Sequence, residues 1–474
     1  MRNLKRALSL ALAAIMLIGM MVVSASAVSY NDLTDKDQIV NKDAVSMLVS
    51  LGIIEGKPDG SYGPTENVDR AQMAKMLSVI MNKGVDNSAL YQSVNSGLVD
   101  VNTNWAKGHI NYCYTTGIIA GRGNGKFDPS ATVTALEAAK MLLVAVGYDP
   151  AIEGFEGADW AINVSVRADE QGIFEGFTKD LSAPLNRDDA ALLIYNALDV
   201  EMIQSYTTNN YPIVYSDHRT ILSDKYGVIK VEGVVTANEW AILDDDTDTA
   251  LQEGKTRIYN PDGILSTTGN TAVAQDSSAN VKTQVFNVST PVDMLGKAVT
   301  MYVKKTTILA DSTVYGAPVV SDVNTVIETG EKVTGGDSKD DDSLAALLKG
   351  TGLATDKATE YYHNYEEVAI DSADVDDIMN VKGAALTVID NDNDGYVNYV
   401  ISVEKSLTHV SGVSSKNETT TLYGLPGDDV IDNEDIVTTA TDLTKGDVVL
   451  VVQYGGRTYV EEPKTCLLYT SPSP

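Results

Sequence analysis

Cysteine and basic residues are scarce in this sequence. Only two of its 474 residues are cysteine, Cys113 and Cys466, so the fold has no disulfide framework and must rely on hydrophobic cores. Lysine and arginine number 35 against 66 aspartate and glutamate, which gives a net charge of −31 at pH 7. A nucleic-acid partner needs a clustered basic face, and this charge balance argues against nucleic-acid binding.

Recognisable catalytic motifs are also absent. The sequence contains no H-E-x-x-H, no G-x-S-x-G and no P-loop. Its four histidines are scattered singly, at His109, His218, His363 and His409. Carboxylate pairs are too common in so acidic a chain to identify a glycosidase site. We therefore predict no catalytic residues and no required cofactor, with residues 206–474 left open for an unrecognised active region.

Long apolar runs occur once, at the N-terminus. A basic segment, MRNLKR, precedes the apolar run ALSLALAAIMLIGMMVV and the small residues Ala25-Ser26-Ala27. This order predicts a secretory signal peptide over residues 1–27, and the alternative is a single-pass anchor. No second run of about 20 apolar residues follows. We therefore expect an exported chain that begins near Val28 and has no further membrane span.

A pattern recurs three times in the first half and predicts three repeats. The predicted repeats span residues 28–88, 89–148 and 149–205. Each has an apolar helical face, then Gly-Ile-(Ile/Phe)-x-Gly, in which the first glycine suits a helix C-cap and the second a tight reversal. These glycine motifs lie at residues 52–56, 117–121 and 172–176. A second helix is predicted after each of Pro64, Pro129 and Pro184.

The second helix of each repeat begins with residues suited to capping. They are the pairs Asp69/Gln72, Thr134/Glu137 and Asn186/Asp189. The Thr134 pair forms a complete capping box, in which hydroxyl and carboxylate satisfy free backbone N–H groups, and the other two pairs are weaker versions. Arg70 and Arg187 follow their caps, at a helix end where a positive charge is mildly unfavourable. These arginines therefore indicate an anionic ligand.

Taken together, these motifs resemble the S-layer homology (SLH) domain. The likeness rests on the family pattern Trp-Ala, Gly-Ile-Ile-x-Gly, Asp-Gly-x-(Phe/Tyr)-x-Pro and Thr-Arg-Ala-Glu, which the repeats follow in order with substitutions in each copy. The resemblance implies α-helical repeats in a pseudo-threefold assembly, an SLH trimer with grooves between the repeats. In that family the grooves bind secondary cell-wall polysaccharide, typically with a pyruvate ketal, and the arginine of Thr-Arg-Ala-Glu is a principal contact.

The resemblance carries over residue by residue, with departures. Arg70 and Arg187 match the family's arginine, whereas Ala135 replaces it in the second repeat. We therefore expect a degenerate site in the second repeat. The alternative is that nearby Arg122 supplies the missing contact. The expected glycan contacts are Arg70, Arg187, Gly56, Gly121, Trp105, Trp160 and Arg122. Burial in the helical core is favoured for the two tryptophans, and stacking on sugar rings is the alternative.

After Glu201 the residue pattern changes from one that predicts helices to one that predicts β-strands. Valine, threonine and tyrosine alternate with polar residues between Gly- and Asp-rich turns. Residues 231–243 and 410–422 share V-x-G-V-x-x-x-N-E-x-x-x-L, and the similar stretches LGKAVTMYV and LTKGDVVLVV lie downstream of them. We therefore predict a multidomain protein in which all-β modules, small barrels or sandwiches, follow the helical repeats. The modules span 206–333 and 353–465, with an acidic linker over 334–352.

One acidic stretch, VIDNDNDGYVNYVI, resembles half of a calcium loop. Asp390, Asp392, Asp394 and Gly395 match the first half of an EF-hand, but Ile401 stands at the twelfth position, where such a loop needs a bidentate carboxylate. Alternating apolar residues on both sides favour a β-hairpin, and Ca²⁺ binding at its tip is the alternative. The last residues, 466–474, share nothing with the preceding hairpin and are interpreted as a tail of doubtful origin.

These predictions combine into one functional hypothesis. We expect an exported cell-wall and cell-surface protein, held non-covalently on anionic, pyruvylated wall polysaccharide. Its β-rich outer region is expected to be a structural component of a surface layer (S-layer), in which the chain self-associates. The alternatives are an anchored polysaccharide hydrolase, or an adhesin, whose active region is unrecognised or missing.

Overall fold

The computed structural model describes most of the chain outside its two ends. The described residues are 30–243, 250–263, 281–304, 312–330, 343–369, 375, 378, 381–425, 430–438 and 442–463. The predicted signal peptide, residues 334–342 of the predicted acidic linker, and the tail with Cys466 lie outside these residues. Within them, no helix is both long and apolar enough to cross a membrane. The chain divides into two compact units, one ending at Ile229 and the other beginning at Lys230.

The first unit contains three helix–turn–helix segments. Their helices are α1 (Lys42–Ser50), α2 (Arg70–Met81), α3 (Lys107–Thr115), α4 (Ala135–Val146), α5 (Trp160–Glu170) and α6 (Arg187–Leu198). The predicted apolar faces point inwards: Leu48 of α1, Ile110 and Cys113 of α3, and Val164 of α5 are fully buried. A short antiparallel hairpin, β1 (Ile203–Tyr206) and β2 (Pro212–Val214), follows the last helix.

The helices pack in a ring that runs from one segment into the next. α2 packs against α3, α4 against α5, and α6 against α1. At the closing contact, the Asp188 carboxylate accepts hydrogen bonds from the backbone N–H groups of Val40 and Asn41, at 3.3 and 3.2 Å. The end of the third segment is thereby joined to the beginning of the first.

The caps that begin α2, α4 and α6 differ in completeness. Asp69 and Thr134 each accept from the backbone N–H three residues on, and Gln72 and Glu137 accept from the cap residue's own N–H, so both are reciprocal capping boxes. Asn186 accepts from the N–H of Asp189. The Asp189 carboxylate bonds instead to Lys179, at 2.6 Å. The third cap is therefore single.

Three extended residues tie the segments together at the centre of the ring. The N–H of Val68 donates to the carbonyl of Leu185 (2.9 Å), that of Leu185 to Val133 (2.8 Å), and that of Val133 to Val68 (2.9 Å). All three side chains are buried. Each segment thus donates one central hydrogen bond and accepts another, which closes the ring through backbone groups alone.

A second set of hydrogen bonds fixes which residues are equivalent in the three segments. The second residues of α2, α4 and α6 donate to carbonyls in the turn of the next segment: Ala71 to Pro129, Leu136 to Leu181, and Asp188 to Pro64. Leu181 therefore occupies the place of Pro64 and Pro129. The third of these helices begins after Pro184, as predicted, but Pro184 lies three residues beyond the position equivalent to Pro64 and Pro129, because the third segment has a shorter turn.

The second unit is built from β-sheets. Its strands are β3 (Val228–Asn238, entering from the first unit), β4 (Thr256–Tyr259), β5 (Thr283–Phe286), β6 (Ala298–Lys304), β7 (Val314–Val320), β8 (Thr325–Glu328), β9 (Glu360–His363), β10 (Glu366–Glu367), β11 (Ala384–Asp390), β12 (Tyr399–Glu404), β13 (Ser406–Ser414), β14 (Thr419–Leu422), β15 (Val430–Asp432), β16 (Ile436–Thr438), β17 (Val448–Tyr454) and β18 (Arg457–Glu461). A short helix, α7 (Leu344–Leu348), precedes β9.

These strands form three sheets rather than the two modules expected from the sequence. The strand orders are β5-β4-β3-β6-β7, β10-β9-β12-β11-β8 and β15-β14-β13-β17-β18-β16, mostly antiparallel. β8 pairs with β11, so hydrogen bonding assigns it to the middle sheet although the predicted boundary at residue 333 separates them. Helix α7 covers this sheet, with Leu344 and Leu348 packed on Leu386 and Val400.

The repeated sequence pattern, which we call the sequence echo, falls on matching strands of the first and third sheets. The shared pattern at 231–243 and 410–422 begins on β3 and β13, and the similar stretches downstream lie on β6 and β17. In each sheet these two strands are direct neighbours. The echo thus reflects a shared strand pair, around which each sheet adds its own further strands.

Candidate functional site

A groove in the first unit brings together residues from all three segments. We name it the Trp105 groove. It has a volume of about 210 Å³ and is lined by the Gly56 turn, by Lys75 of α2, by Trp105 before α3 and by Arg187 of α6. Trp105 is 58% exposed, so the core interpretation of this tryptophan is wrong, and its ring is available at the mouth of the groove.

A second groove repeats this arrangement one segment further along the chain. This Trp160 groove has a volume of about 420 Å³ and is lined by the Gly121 turn, by Lys140 of α4, by Trp160 of α5 and by Arg70 of α2. Trp160 is half-buried. Each arginine therefore lies against the turn of a neighbouring segment, and not against the turn of its own segment.

Arg70 is held in place mainly by the protein itself. Its side chain is 5% exposed, Nε donates to the carbonyl of Phe127 at 2.9 Å, and Nη2 donates to the carbonyl of Ala120 at 2.8 Å. The guanidinium lies 4.4 Å from the centre of the Phe127 ring. Burial lowers the pKa of this guanidinium, which remains a cation. Two of its three nitrogens, Nε and Nη2, therefore bond to backbone carbonyls, and the residue lines the groove.

Arg187 has the same stacking with fewer bonds. Its guanidinium lies 4.8 Å from the centre of the Tyr62 ring, and the Tyr62 hydroxyl donates to the Arg187 carbonyl at 2.7 Å. Its Nε is buried and has no hydrogen-bond partner among the described residues. A buried donor without a partner costs stability.

Two carboxylates that the sequence analysis missed shape the turns beneath these rings. Asp35 accepts from the N–H groups of Tyr62 and Gly63, at 2.7 and 2.8 Å. Asp100 accepts from the N–H groups of Phe127 and Asp128, at 2.9 and 2.8 Å. Their spacing of 65 residues, equal to that from Arg70 to Ala135, was the available signal.

The helix N-terminal N–H groups are not free to bind a ligand. The N–H of Arg70 donates to Ala131 and that of Arg187 to Glu66, at 2.9 and 2.8 Å. An anion in either groove would therefore be held by side chains, chiefly by guanidinium and ammonium groups, and not by the helix dipole site that a free N-terminus offers.

Arg122 lies where the Trp160 groove already has an arginine. It lines that groove together with Arg70 and forms an ion pair with Glu137 at 2.8 Å. Its equivalent in the Trp105 groove is Lys57, which forms an ion pair with Glu66. Arg122 therefore does not replace the guanidinium that Ala135 lacks, because Ala135 belongs to a different junction.

We call the contact between the start of one segment's second helix and the turn of the next segment a junction. The third junction, between α4 and the third turn, keeps the backbone hydrogen bond of the other two but lacks their groove side chains. Leu136 donates to Leu181, which places Ala135 beside the third turn in the way that Arg70 lies beside the second. Lys179 stands at the position of Tyr62 and Phe127, and Leu192 at that of Lys75 and Lys140. The degenerate site is thus located over the turn of the third segment, at 172–181.

The acidic loop in the second unit is a β-hairpin. β11 and β12 pair from Ile389↔Tyr399 outwards, and Ile401, at the twelfth loop position, is a buried strand residue. Asp390, Asp392 and Asp394 offer ligand oxygens within 4.8 Å of one another. Asp390, however, accepts hydrogen bonds from the N–H groups of Asn393 and Gly395. These bonds give Asp390 a structural role in the turn.

A comparison with known protein families identifies the helical part. The S-layer homology domain family matches residues 29–74 and 99–139. The chain contains S-layer homology domains. The matched SLH residues cover α1, α3 and the first turns of α2 and α4, and they include Gly56, Arg70, Trp105 and Gly121. The third segment, with Trp160 and Arg187, lies outside the matched residues.

Curated relatives of this SLH protein include two surface proteins and an exoglucanase. A "Cell surface protein" of Thermoanaerobacter kivui is 27% identical over 82% of this chain and 44% of its own length. An "S-layer protein" of Bacillus licheniformis is 33% identical over 24% of this chain and 12% of its own length. "Exoglucanase XynX" of Acetivibrio thermocellus is 29% identical over 37% of this chain and 17% of its own length. The chain spans less than half the length of these relatives. The matched family and the relatives indicate a cell-surface location.

Proposed function

We propose that this chain anchors itself to the cell wall by binding secondary wall polysaccharide in the Trp105 and Trp160 grooves. The observation that carries the proposal is the duplicated set of groups: a guanidinium stacked on an aromatic ring, a lysine, a glycine turn and a tryptophan at the mouth. A planar guanidinium suits a carboxylate, and a tryptophan ring suits the apolar face of a sugar. A sugar with a ketal-linked pyruvate presents both.

The closed hydrogen-bond ring supports a pseudo-threefold arrangement with two working grooves. Each groove is completed by all three segments, so its geometry depends on the whole ring. Positive groups are concentrated here in a chain whose net charge is −31, and short-range contacts with an anion must overcome this overall repulsion.

For the second unit, we propose a structural role in a surface layer, including self-association. The relative from Thermoanaerobacter kivui, named a cell surface protein, matches across 82% of this chain and so extends well beyond the helical part. The alternative of an anchored polysaccharide hydrolase has less support, because the exoglucanase matches over only 37% of the chain.

Co-sedimentation with wall sacculi tests the anchor. The full chain is mixed with native sacculi and with sacculi stripped of secondary polysaccharide, as wild type and as the Arg70→Ala/Arg187→Ala double variant. We expect binding to native sacculi only, and a loss on the order of a hundredfold in the double variant, since two charge-assisted contacts disappear.

Two controls make this result interpretable. Lys349→Ala/Lys357→Ala removes two exposed positive charges from the second unit and should bind like wild type. Arg70→Lys/Arg187→Lys retains the charge and should bind weakly, because an ammonium lacks the planar fork. Equal binding to stripped sacculi, or wild-type binding by a folded double variant, would contradict the proposal.

A further inference from the structure

The two grooves differ at one pair of equivalent positions. In the Trp105 groove, the Lys75 ammonium forms an ion pair with Glu55 at 3.1 Å. In the Trp160 groove, the residue at the position of Glu55 is Ala120. Lys140, the equivalent of Lys75, has no carboxylate within ion-pair distance among the described residues, and its Nζ donates to the carbonyl of Phe155.

Lys140 is poised towards the groove. Its ammonium lies 5.6 Å from the centre of the Trp160 ring, and it lines the cavity beside that tryptophan. An ammonium has three N–H donors, of which the Phe155 carbonyl takes one. Partial burial lowers the pKa of Lys140, and nearby Glu156 partly opposes this effect. A desolvated cation with unused donors gains from an anionic partner.

The other cations of these grooves are already neutralised or in matched positions. Arg122 pairs with Glu137, as Lys57 pairs with Glu66. The stacked arginine is present in both grooves. The Glu55/Ala120 difference therefore leaves Lys140 as the groove lysine without an ion pair among the described residues, in a groove that the carboxylate of Glu156 also lines. The Trp160 groove has about 420 Å³ of space against about 210 Å³ for the Trp105 groove.

On the basis of the proposed anchoring function, we propose that Lys140 is a second anion contact, which makes the Trp160 groove selective for a glycan segment with two acidic groups. The Trp105 groove, in which Glu55 neutralises Lys75, binds a segment with one. The stacked arginine takes one carboxylate in each groove, and Lys140 takes the second. A wall polymer with acidic groups on successive sugars would be held by one chain at two unequal sites.

Fluorine NMR of 5-fluorotryptophan-labelled full-length chain measures the grooves separately. The chain has three tryptophans, of which Trp105 and Trp160 report on one groove each and Trp240 of the second unit serves as an internal reference. Single Trp→Phe variants assign the signals. The probes are a hexosamine with one ketal-linked pyruvate and a disaccharide of the same sugar with two.

We expect the Trp160 signal to titrate about tenfold more tightly with the disaccharide than with the monosaccharide, the value of one charge-assisted contact. At Trp105 the affinities for the two probes should differ by only about twofold, because the disaccharide offers two ketals that can each occupy the single site. Lys140→Met, which retains the apolar stem, and Ala120→Glu, which places a carboxylate as in the other groove, should each abolish the preference. Glu55→Ala should create it at Trp105.

The outcomes separate this inference from the anchoring function. A preference at Trp160 that survives both Lys140→Met and Ala120→Glu, or an equal preference in both grooves of the wild type, would overturn the role of Lys140 while leaving the anchor intact. If neither tryptophan responds to either probe, the proposed function itself is wrong.

Discussion

Two of the three junctions in the helical unit carry an arginine groove, and the third does not, although all three share one frame. The frame consists of backbone hydrogen bonds, such as those among Val68, Val133 and Leu185, which do not depend on the side chains that line the grooves. The groove chemistry depends on three positions. The two grooves have an arginine, an aromatic ring and a lysine there, whereas the third junction has Ala135, Lys179 and Leu192 at the equivalent places. Fold and site are therefore separable here, and a junction can lose its site and keep its architecture.

The largest expected effect comes from the aromatic ring under an arginine. Phe127 is fully buried and supports Arg70, so Phe127→Ala should destabilise the helical unit by about 4 kcal/mol. Phe177, at the turn of the third junction, is only half-buried, and Phe177→Ala should cost about 1 kcal/mol. Urea denaturation followed by helical circular dichroism measures both. Similar costs would show that the groove aromatics have no special structural weight.

A smaller effect is expected from placing an arginine at the third junction. Ala135 is fully buried. In the third junction the position equivalent to Phe127, whose ring supports Arg70, is occupied by a cation, Lys179. Ala135→Arg should therefore destabilise the unit by about 2 kcal/mol and add no binding site. Calorimetric titration with the monosaccharide ketal gives the stoichiometry. Three equivalents bound would mean that the arginine alone makes a groove.

The helix caps should rank in the order of their completeness. Asp69→Ala removes a reciprocal capping box and should cost about 1.5 kcal/mol, whereas Asn186→Ala removes a single cap bond and should cost about 1 kcal/mol. Denaturation of both variants under the same conditions makes the comparison. A larger loss from Asn186→Ala would show that the hydrogen bonds from Val40 and Asn41 to the Asp188 carboxylate depend on this cap.

The sequence was sufficient to predict the helices and the positions of their caps, whereas the role of Arg70 and Arg187 as ligand contacts stays a prediction. Local signals determine these features: a capping box such as Thr134/Glu137 acts within one turn, and apolar spacing selects the buried face of a helix. The pairing of Arg70 with the Gly121 turn was not predicted, because it depends on how separate segments close into a ring. The exposure of Trp105 was missed for the same reason.

The β half was predicted only in outline. Alternation of residues indicates strands, but it does not say which strands pair over a long sequence separation. β8 thus joins β11 across more than 50 residues, and the middle sheet has no counterpart in the sequence echo. The hairpin at Asp390 was predicted, since strand alternation and an Asn/Asp/Gly turn are both local.

The smallest expected effect concerns the histidine beneath Trp105, which the other groove lacks. His109 lies four residues after Trp105, and Val164 lies four residues after Trp160. His109 is buried, its Nδ1 lies 2.5 Å from the Ser78 hydroxyl, and its Nε2 lies 3.6 Å from Asp86. Burial lowers the pKa of His109, Asp86 opposes this, and Lys75 adds to it.

This environment gives a defined sign for the dependence on pH. In the unfolded chain the imidazole titrates near its ordinary pKa of 6.5, whereas the folded state holds it neutral to lower pH. The unfolded state therefore binds more protons below that value, and stability should fall as the pH decreases from about 7.5 to 5.5. His109→Val, which copies the other groove, should show a shallower decrease over the same range. Denaturation at both pH values measures the difference, and an unchanged slope would mean that Asp86 compensates the burial of the imidazole in full.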